Sequence, residues 1–265
     1  MMAPTMVQML TRSPDRARFD VSSLKTVVYG GAPMHQAVLL EAMEAFGPIF
    51  MQGYGQGEAA AICAVLPKRE HVCDGDAKKL KRLGSVGREP VAVMLRVLDD
   101  EGMPQPVGVP GEVAVRTDLV MKGYWNNPAA TAEAIRDGWL LTGDVGYLDE
   151  DGYLFLTDRK KDMIISGGSN IYPREIEEVL FTHPAVAEAS VIGVPDEKWG
   201  EAVLAVVVLR PGMSADQADI IEHCKNHIAS FKKPKAVAFV ESLPKSSYGK
   251  ILKRELRLRF PALPN

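Results

Sequence analysis

The sequence of 265 residues predicts an α/β segment, then a β-rich segment, then a compact α+β domain. The first prediction depends on a strand–helix–strand order, the second on short strands separated by glycine turns, and the third on a helix that begins at a proline between β-branched runs. At residues 158–162 the predicted elements change from short strands to a mixture of strands and helices, which predicts a domain boundary. We therefore expect one domain over 1–157, with an α/β part (1–75) and a β-rich part (76–157), and a second over 158–265.

The α/β prediction comes from consecutive stretches of apolar patterning. A β-branched strand is predicted over residues 24–31, a helix over 34–46 that Gly47 closes, and a second buried strand in "IFMQGY". A further helix is expected near "PTMVQML". This order predicts a parallel sheet, and such sheets bind ligands at the carboxyl ends of their strands. The glycines at that predicted edge are Gly30, Gly31, Gly53, Gly55 and Gly57.

From about Gly84 the pattern changes to short strands with turn residues between them. The stretches "VAVMLRVLD", "GEVAVRT" and "GYLDEDGYLFLTD" predict these strands, and the last contains an acidic-glycine turn at 149–152. After residue 162 come "MIISGG", a helix that begins at Pro173, two β-branched runs, an amphipathic helix over 218–231, and "AVAFV". This second set predicts the compact α+β domain.

Composition narrows the class of function. Lys and Arg number 31 against 34 Asp and Glu, and the net charge of −3 gives no support for nonspecific nucleic-acid binding. Three cysteines without a C-x-x-C pair indicate neither a disulfide framework nor a zinc site, which fits a reducing cytoplasm. We recognise no targeting signal and no apolar run of membrane-spanning length. We therefore expect a cytoplasmic protein.

Lys250 follows Gly249 in "PKSSYGKILKREL", and a Gly-Lys pair raises the question of a phosphate loop. Such a loop needs a glycine five positions before Gly249, where Pro244 stands, so the P-loop interpretation fails. The stretch predicts a turn over residues 246–249 and then a short basic helix. Local evidence alone leaves Lys250 as either an ordinary solvated lysine or a functional one.

Four motifs in order resemble those of the ANL superfamily, which comprises acyl-CoA synthetases, peptide-synthetase adenylation domains and firefly luciferase. They are "VVYGGAP" at 27–33, "MQGYGQGEA" at 51–59, the stretch from "GWLLTGD" to "PREIEEVL" at 138–180, and "LPKSSYGKILKREL" at 243–256. The resemblance covers almost the whole chain and corresponds to the C-terminal half of the family. It implies the later part of a large adenylating domain followed by a mobile C-terminal domain.

The resemblance implies a two-step ligase reaction. A fatty or aromatic carboxylic acid attacks the α-phosphate of ATP, releases pyrophosphate and forms an acyl-adenylate, and the thiol of coenzyme A then displaces AMP. The first step gathers negative charge, so it needs Mg²⁺, a lysine and backbone donors at the phosphates. The expected ligands are ATP or AMP, Mg²⁺, coenzyme A and the acid. A homo-oligomer is compatible with this expectation.

The resemblance also implies roles for individual residues. Glu58 is similar to the family's Mg²⁺-associated glutamate, and Tyr54, beside Gly55, is similar to the aromatic residue that stacks on adenine. Asp144 resembles the carboxylate that binds both ribose hydroxyls, and Arg159 resembles the arginine that reaches the ribose and phosphate region. The loop that passes along the adenine and the acyl group would consist of Gly30, Gly31, Ala32 and Pro33.

Three further assignments fall after the predicted boundary. Lys250 resembles the catalytic lysine of adenylation, and Lys161 falls at the family's hinge position. Gly167, Gly168 and Ser169 resemble the loop beside the pantetheine tunnel, where absent side chains let a narrow thiol arm approach. Taken singly, all the assigned residues also fit ordinary roles as turns, core packing, surface ion pairs or linker charges.

Two departures from the family pattern leave the function open. Residues 1–26 contain no Ser/Thr/Gly-rich loop that ends in lysine, so the chain resembles a fragment with little or no activity of its own. Gly57 stands where most relatives carry Thr, which we interpret as subfamily variation rather than loss of function, with phosphate contacts there made by backbone or water. Besides an acid–CoA ligase, we consider an adenylation domain that loads a carrier protein and a noncatalytic nucleotide-binding fragment.

Overall fold

The computed structural model of the protein describes residues 1–59, 62–247 and 249–263. The predicted fold class is confirmed: the chain has mixed α/β structure with several sheets. It divides into two units, Met1–Lys160 and Lys161–Asn265. Within the described ranges, no helix combines the length and apolar character needed to cross a membrane.

The first unit contains the predicted strand–helix–strand segment and the β-rich segment. Its described helices are α1 (Pro4–Thr11), α2 (Gln36–Phe46), α3 (Ala77–Arg82) and α4 (Pro128–Ala134). Its described strands are β1 (Val27–Gly30), β2 (Phe50–Tyr54), β3 (Ala64–Leu66), β4 (Met94–Leu98), β5 (Gly111–Arg116), β6 (Ile135–Arg136), β7 (Trp139–Leu148) and β8 (Leu154–Arg159).

The strands β1 and β2 pair in parallel, as the strand–helix–strand order predicts. The helix α2 connects them and ends at Gly47, whose φ of 79° is in the left-handed region. The third strand, β3, runs antiparallel to β2, so this sheet is mixed rather than wholly parallel. The carboxyl ends of β1 and β2 therefore lie side by side, with Gly30 opposite Gly53.

The β-rich segment forms an antiparallel sheet in the order β4-β5-β7-β6, with β8 paired to β7. Its core is continuous with that of the first segment, because Tyr54 and Ala64 pack in one cluster with Val113, Leu140 and Leu154. Burial of a Val or Leu side chain contributes roughly 1.5–3 kcal/mol. The two parts expected at 1–75 and 76–157 thus share one hydrophobic core.

The second unit is a sheet covered by helices. Its described strands are β9 (Ile164–Ser166), β10 (Ser169–Ile171), β11 (Val186–Asp196), β12 (Gly200–Leu209) and β13 (Ala236–Phe239). Its described helices are α5 (Pro173–Thr182), α6 (Gln217–His227) and α7 (Lys253–Arg259).

The strands β11 and β12 form a long antiparallel hairpin, and β13 adds to β12 in parallel. The helix α5 begins at Pro173, as predicted, and packs against β11. On α5, Glu177 is buried and accepts hydrogen bonds from the backbone N–H of Val191 at 2.8 Å and pairs with Lys253 at 3.0 Å. This buried pair connects α5, β11 and α7.

Candidate active site

Asp144, on β7, is the centre of a cluster that connects the two sheets of the first unit. Its Oδ2 accepts a hydrogen bond from the Tyr54 hydroxyl at 2.7 Å, and its Oδ1 lies 3.3 Å from the Arg159 Nε. Asp144 and Arg159 face each other across the β7–β8 ladder, whereas Tyr54 is the last residue of β2. The fold therefore brings together three of the residues assigned from the sequence.

The Asp144 carboxylate is nearly buried, with 9% of the residue exposed. Its backbone N–H donates to the Thr142 Oγ1 at 3.1 Å, and that hydroxyl donates to the Val113 carbonyl at 2.8 Å. An ionised carboxylate has about four lone-pair sites. The Tyr54 hydroxyl takes one of these sites on Oδ2 and the Arg159 guanidinium pairs with Oδ1, which leaves acceptor capacity that suits a pair of hydroxyl groups.

Tyr54 is buried in the core that the two sheets share. Burial, followed by the charge of Asp144, raises the pKa of the Tyr54 phenol well above its usual range, so the hydroxyl stays protonated and donates to Asp144. The Tyr54 carbonyl accepts from the Cys63 N–H at 2.6 Å. Burial raises the pKa of the Cys63 thiol to about 11, and the thiol is therefore a packing group rather than a nucleophile.

Glu58 lies in a short 3₁₀ turn that follows β2. Its carbonyl accepts from the Met121 N–H at 2.7 Å, and its Oε1 accepts from the Tyr124 hydroxyl at 3.0 Å. This hydrogen bond, with a smaller effect of burial, raises the pKa of Tyr124. Glu58 is partly exposed, so its carboxylate remains accessible to a ligand.

The loop from Gly30 to Pro33 follows β1 at the same edge as Tyr54. A Cβ atom on Gly30 would clash with the Gly53 carbonyl oxygen, so the close approach of β1 and β2 requires glycine at this position. Gly31 has a φ of 80°. At Gly31 the loop therefore presents exposed backbone without a side chain, next to the carboxyl end of β2.

Lys250 lies in the second unit, at a turn closed by backbone and hydroxyl contacts. The Ser246 N–H donates to the Lys250 carbonyl at 2.8 Å, and the Lys250 N–H donates to the Ser246 Oγ at 3.2 Å. Lys245 and Ile251 form an isolated antiparallel bridge across the turn. The sequence prediction of this turn includes Tyr248, which lies outside the described residues.

Gly167 and Gly168 form the turn between β9 and β10, and Ser169 begins β10. Gly167 has a φ of 57°, and a Cβ atom there would lie 2.6 Å from the Trp199 Cε3 atom. Glycine is therefore required by the backbone conformation and by the neighbouring indole ring. Lys161 is an exposed residue in the 3₁₀ turn Lys160–Asp162, where the two units meet in sequence.

The residues present are compatible with Mg²⁺, although the part of the chain that the structure describes builds no closed metal site. No three His, Cys, Asp or Glu side chains among the described residues form a group able to hold a metal ion. Mg²⁺ is commonly bound through one or two carboxylates together with substrate phosphates and water. A single accessible carboxylate such as that of Glu58 fits this mode of binding.

Sequence reasoning did not identify Tyr124 as a neighbour of Glu58. The two residues are 66 positions apart, and Tyr124 lies in a segment without regular structure before α4. The local signal was the "GYWNNP" stretch, an aromatic pair ahead of a turn and a proline-opened helix. That signal predicts the start of α4 but not which residue its neighbouring loop contacts.

Comparison with known proteins identifies the class to which this fold and cluster belong. The family model described as AMP-binding enzyme matches residues 1–125, and the model described as AMP-binding enzyme C-terminal domain matches residues 175–250. The chain therefore belongs to the adenylate-forming ANL superfamily of AMP-binding enzymes and corresponds to their C-terminal portion.

Among individual proteins, the chain is 44% identical to the medium/long-chain-fatty-acid–CoA ligase FadD8 of Mycobacterium tuberculosis, over 98% of the chain and 46% of that protein. It is 43% identical to the fatty acid–[acyl-carrier-protein] ligase ScoC of Streptomyces coeruleorubidus, over 97% of the chain and 49% of that protein. The amide bond synthetase McbA of Marinactinospora thermotolerans has a similar structure, with a TM-score of 0.90 and 41% identity over 98% of the chain and 52% of McbA. The chain spans about half the length of the curated relatives it matches.

Proposed function

We propose that the chain is the nucleotide-recognising portion of an AMP-forming carboxylic acid–CoA ligase. The observation that carries the proposal is the Asp144 carboxylate, which is nearly buried, fixed by Tyr54 and Arg159, and still able to accept two hydrogen bonds. The ribose of AMP offers two adjacent hydroxyl donors. Membership of the AMP-binding family supports the same ligand.

In the proposed first half-reaction, the acid attacks the α-phosphate of ATP and pyrophosphate leaves. Asp144 would hold the ribose, the Gly30–Pro33 loop would bind the adenine, and Arg159 would bind near the phosphate. Stacking of the Tyr54 ring on adenine, which the family resemblance implies, would need more of the ring than the 9% of the residue that is exposed in the structure. Glu58 would hold Mg²⁺, which offsets the negative charge of the phosphates when it is bound. The Lys250 ammonium would stabilise the charge that moves between the carboxylate and the α-phosphate.

In the proposed second half-reaction, a thiol attacks the acyl carbonyl and AMP leaves as the acyl–phosphate bond breaks. The Gly167–Ser169 turn would lie beside the arm that carries the thiol, because Gly168 is exposed and has no neighbour where a side chain would begin. Coenzyme A is the proposed acceptor, since FadD8 is a CoA ligase. A carrier protein is the second candidate, which the similarity to ScoC favours.

The acid is proposed only as a class. FadD8 and ScoC are both named for fatty acids, so a fatty acid is the first choice and an aromatic acid the second. Thioester formation from coenzyme A, fatty acid and ATP by the full-length protein, without a carrier protein, would support the CoA ligase. Transfer to a purified carrier protein and not to coenzyme A would support the alternative.

Calorimetry of AMP binding to the chain tests the nucleotide site directly. Asp144→Asn should weaken AMP binding by about 10- to 100-fold, since hydrogen bonds to a charged group contribute about 1.5–3 kcal/mol. Asp100→Asn, which removes an exposed carboxylate paired with Lys160, is the matched control. ATP should bind little more tightly than AMP, because residues 1–26 contain no phosphate loop. Equal AMP affinity in the wild type and Asp144→Asn would contradict the proposal.

A further inference from the structure

Glu58 is held from two directions by the segment that precedes α4. The Met121 N–H fixes the Glu58 backbone at 2.7 Å, and the Tyr124 hydroxyl fixes the Oε1 atom of its side chain at 3.0 Å. Glu58 and this segment belong to the same unit. The backbone contact places the residue, and the hydroxyl contact selects one orientation of its carboxylate.

Tyr124 is itself anchored to α4. Its N–H donates to the Thr131 Oγ1 at 2.9 Å, and the Thr131 hydroxyl donates to the Asn127 carbonyl at 2.9 Å. The Asn127 side chain in turn caps α4 by accepting from the Ala130 N–H at 3.1 Å. The position of the Tyr124 backbone is therefore fixed by a capped helix rather than by an unsupported loop.

We propose that Tyr124 is a positioning residue that orients the Glu58 carboxylate toward a divalent cation. This inference rests on the metal-binding role of Glu58 under the proposed function. A hydroxyl donor on Oε1 restricts the rotation of the carboxylate and leaves Oε2 free of that contact, as a carboxylate that binds Mg²⁺ through one oxygen requires. Partners that orient metal-binding side chains typically affect metal affinity by 10- to 100-fold when they are removed.

The exposure of Tyr124 separates this role from a role in folding. Its side chain is half exposed, with 40% of the residue accessible to solvent. Removal of one hydroxyl at such a position changes fold stability little, because the hydroxyl and the carboxylate can both be hydrated instead. A change in metal dependence in Tyr124→Phe would therefore report on Glu58 rather than on unfolding.

The test measures how strongly Mg²⁺ tightens binding of a non-hydrolysable ATP analogue to the full-length protein. Calorimetry with and without Mg²⁺ gives two dissociation constants, and their ratio is the coupling between metal and nucleotide. We expect Tyr124→Phe to lower this ratio by about tenfold and to leave metal-free binding unchanged. The Mg²⁺ concentration for half-maximal pyrophosphate release should rise by a similar factor.

Two further variants make the result decisive. Trp125→Phe changes the neighbouring aromatic residue, which is 91% exposed, and should keep the wild-type ratio. Glu58→Gln should remove most of the Mg²⁺ effect, and adding Tyr124→Phe to it should change nothing more. A normal ratio in Tyr124→Phe together with a reduced one in Glu58→Gln would overturn the Tyr124 proposal and leave the proposed function intact. A normal ratio in Glu58→Gln would refute the metal role of Glu58, and the Tyr124 proposal with it.

Discussion

Asp144 and Lys250 are anchored in different ways. Asp144 is nearly buried, and side chains from β2 and β8 fix both of its carboxylate oxygens. Lys250 lies in a turn whose contacts with Ser246 fix its backbone. A carboxylate held in one geometry suits recognition of a bound ligand, whereas the role proposed for the Lys250 ammonium is to stabilise charge that develops during reaction. We therefore expect substitutions at the Asp144 cluster to change affinity and substitution of Lys250 to change rate.

The largest expected effect is that of Lys250→Ala. In the full-length protein this change should reduce adenylate formation by about 10²–10³, since that is the usual effect of removing one preorganised donor. Thioester formation from a supplied acyl-adenylate should fall far less. Pyrophosphate release and thioester assays on the same variant measure the two steps separately.

Lys245→Ala is the matched control for Lys250→Ala. It removes the same charge from the same turn, where Lys245 pairs with Glu188 at 2.7 Å. Exposed and partly exposed ion pairs contribute about 0–1 kcal/mol, so both half-reactions should stay near wild type. If Lys250→Ala slows both half-reactions equally, the catalytic assignment is wrong and Lys250 is an ordinary solvated lysine.

A substitution at Lys161 tests whether the different roles expected for Asp144 and Lys250 depend on a reorientation of the second unit. If Lys161 is a hinge, Lys161→Pro should restrict φ there and impair one half-reaction more than the other. Lys161→Ala keeps the backbone N–H and should show a smaller imbalance. The measurement is the ratio of the two half-reaction rates. If this ratio is the same in Lys161→Pro and in the wild type, the hinge assignment is wrong.

A smaller effect is expected when one support of Asp144 is removed. Tyr54→Phe keeps the aromatic ring but deletes the donor at 2.7 Å, so AMP should bind about fivefold more weakly, which corresponds to about 1 kcal/mol. Tyr124→Phe, a tyrosine that contacts Glu58 instead, should leave metal-free AMP binding unchanged. If calorimetry finds the same AMP affinity in Tyr54→Phe and Tyr124→Phe, the hydrogen bond from Tyr54 to Asp144 does not contribute to nucleotide binding.

The smallest effect concerns pH and stability. His71 is fully buried, and burial lowers its pKa below the ordinary value of 6.5, although the Pro67 carbonyl and Glu70 act in the opposite direction. Since the unfolded chain binds this proton more readily, stability is complete above the unfolded pKa and falls as the pH decreases through it. His71→Gln should unfold at lower temperature at pH 7.5 but lose less stability between pH 7.5 and 5.5. A pH dependence equal to that of the wild type would contradict this assignment.

Elements with strong local patterns were predictable from the sequence, and contacts between distant segments were not. The strands β1 and β2, the β7–β8 hairpin and the start of α5 at Pro173 follow from apolar periodicity and turn residues. The helix predicted over 218–231 ends earlier, at His227, where Ile228 is extended and Phe231 is exposed. Apolar spacing continues beyond that point, but the side chains there do not meet the core.

In the candidate site, too, the individual residues could be assigned from the sequence but the contacts between them could not. The motif resemblance assigned Tyr54, Asp144 and Arg159 individually, and their roles remain predictions. That the Tyr54 hydroxyl contacts Asp144 could not be read from the sequence, because the two residues come from different sheets. The contact between Tyr124 and Glu58 was equally hidden, because a turn and an irregular segment 66 positions apart form it. Such pairs depend on how distant segments pack, which has no local signature.

The shared core of the first unit also has a consequence for synthesis on the ribosome. Tyr54 leaves the ribosome before its apolar neighbours Leu140 and Leu154, which are translated much later. Until β8 has left the exit tunnel, Tyr54 and the valines around it have no complete core to enter. The apolar surface around Tyr54 therefore stays incompletely covered while the segment up to β8 is translated, which is an interval in which a chaperone could bind it.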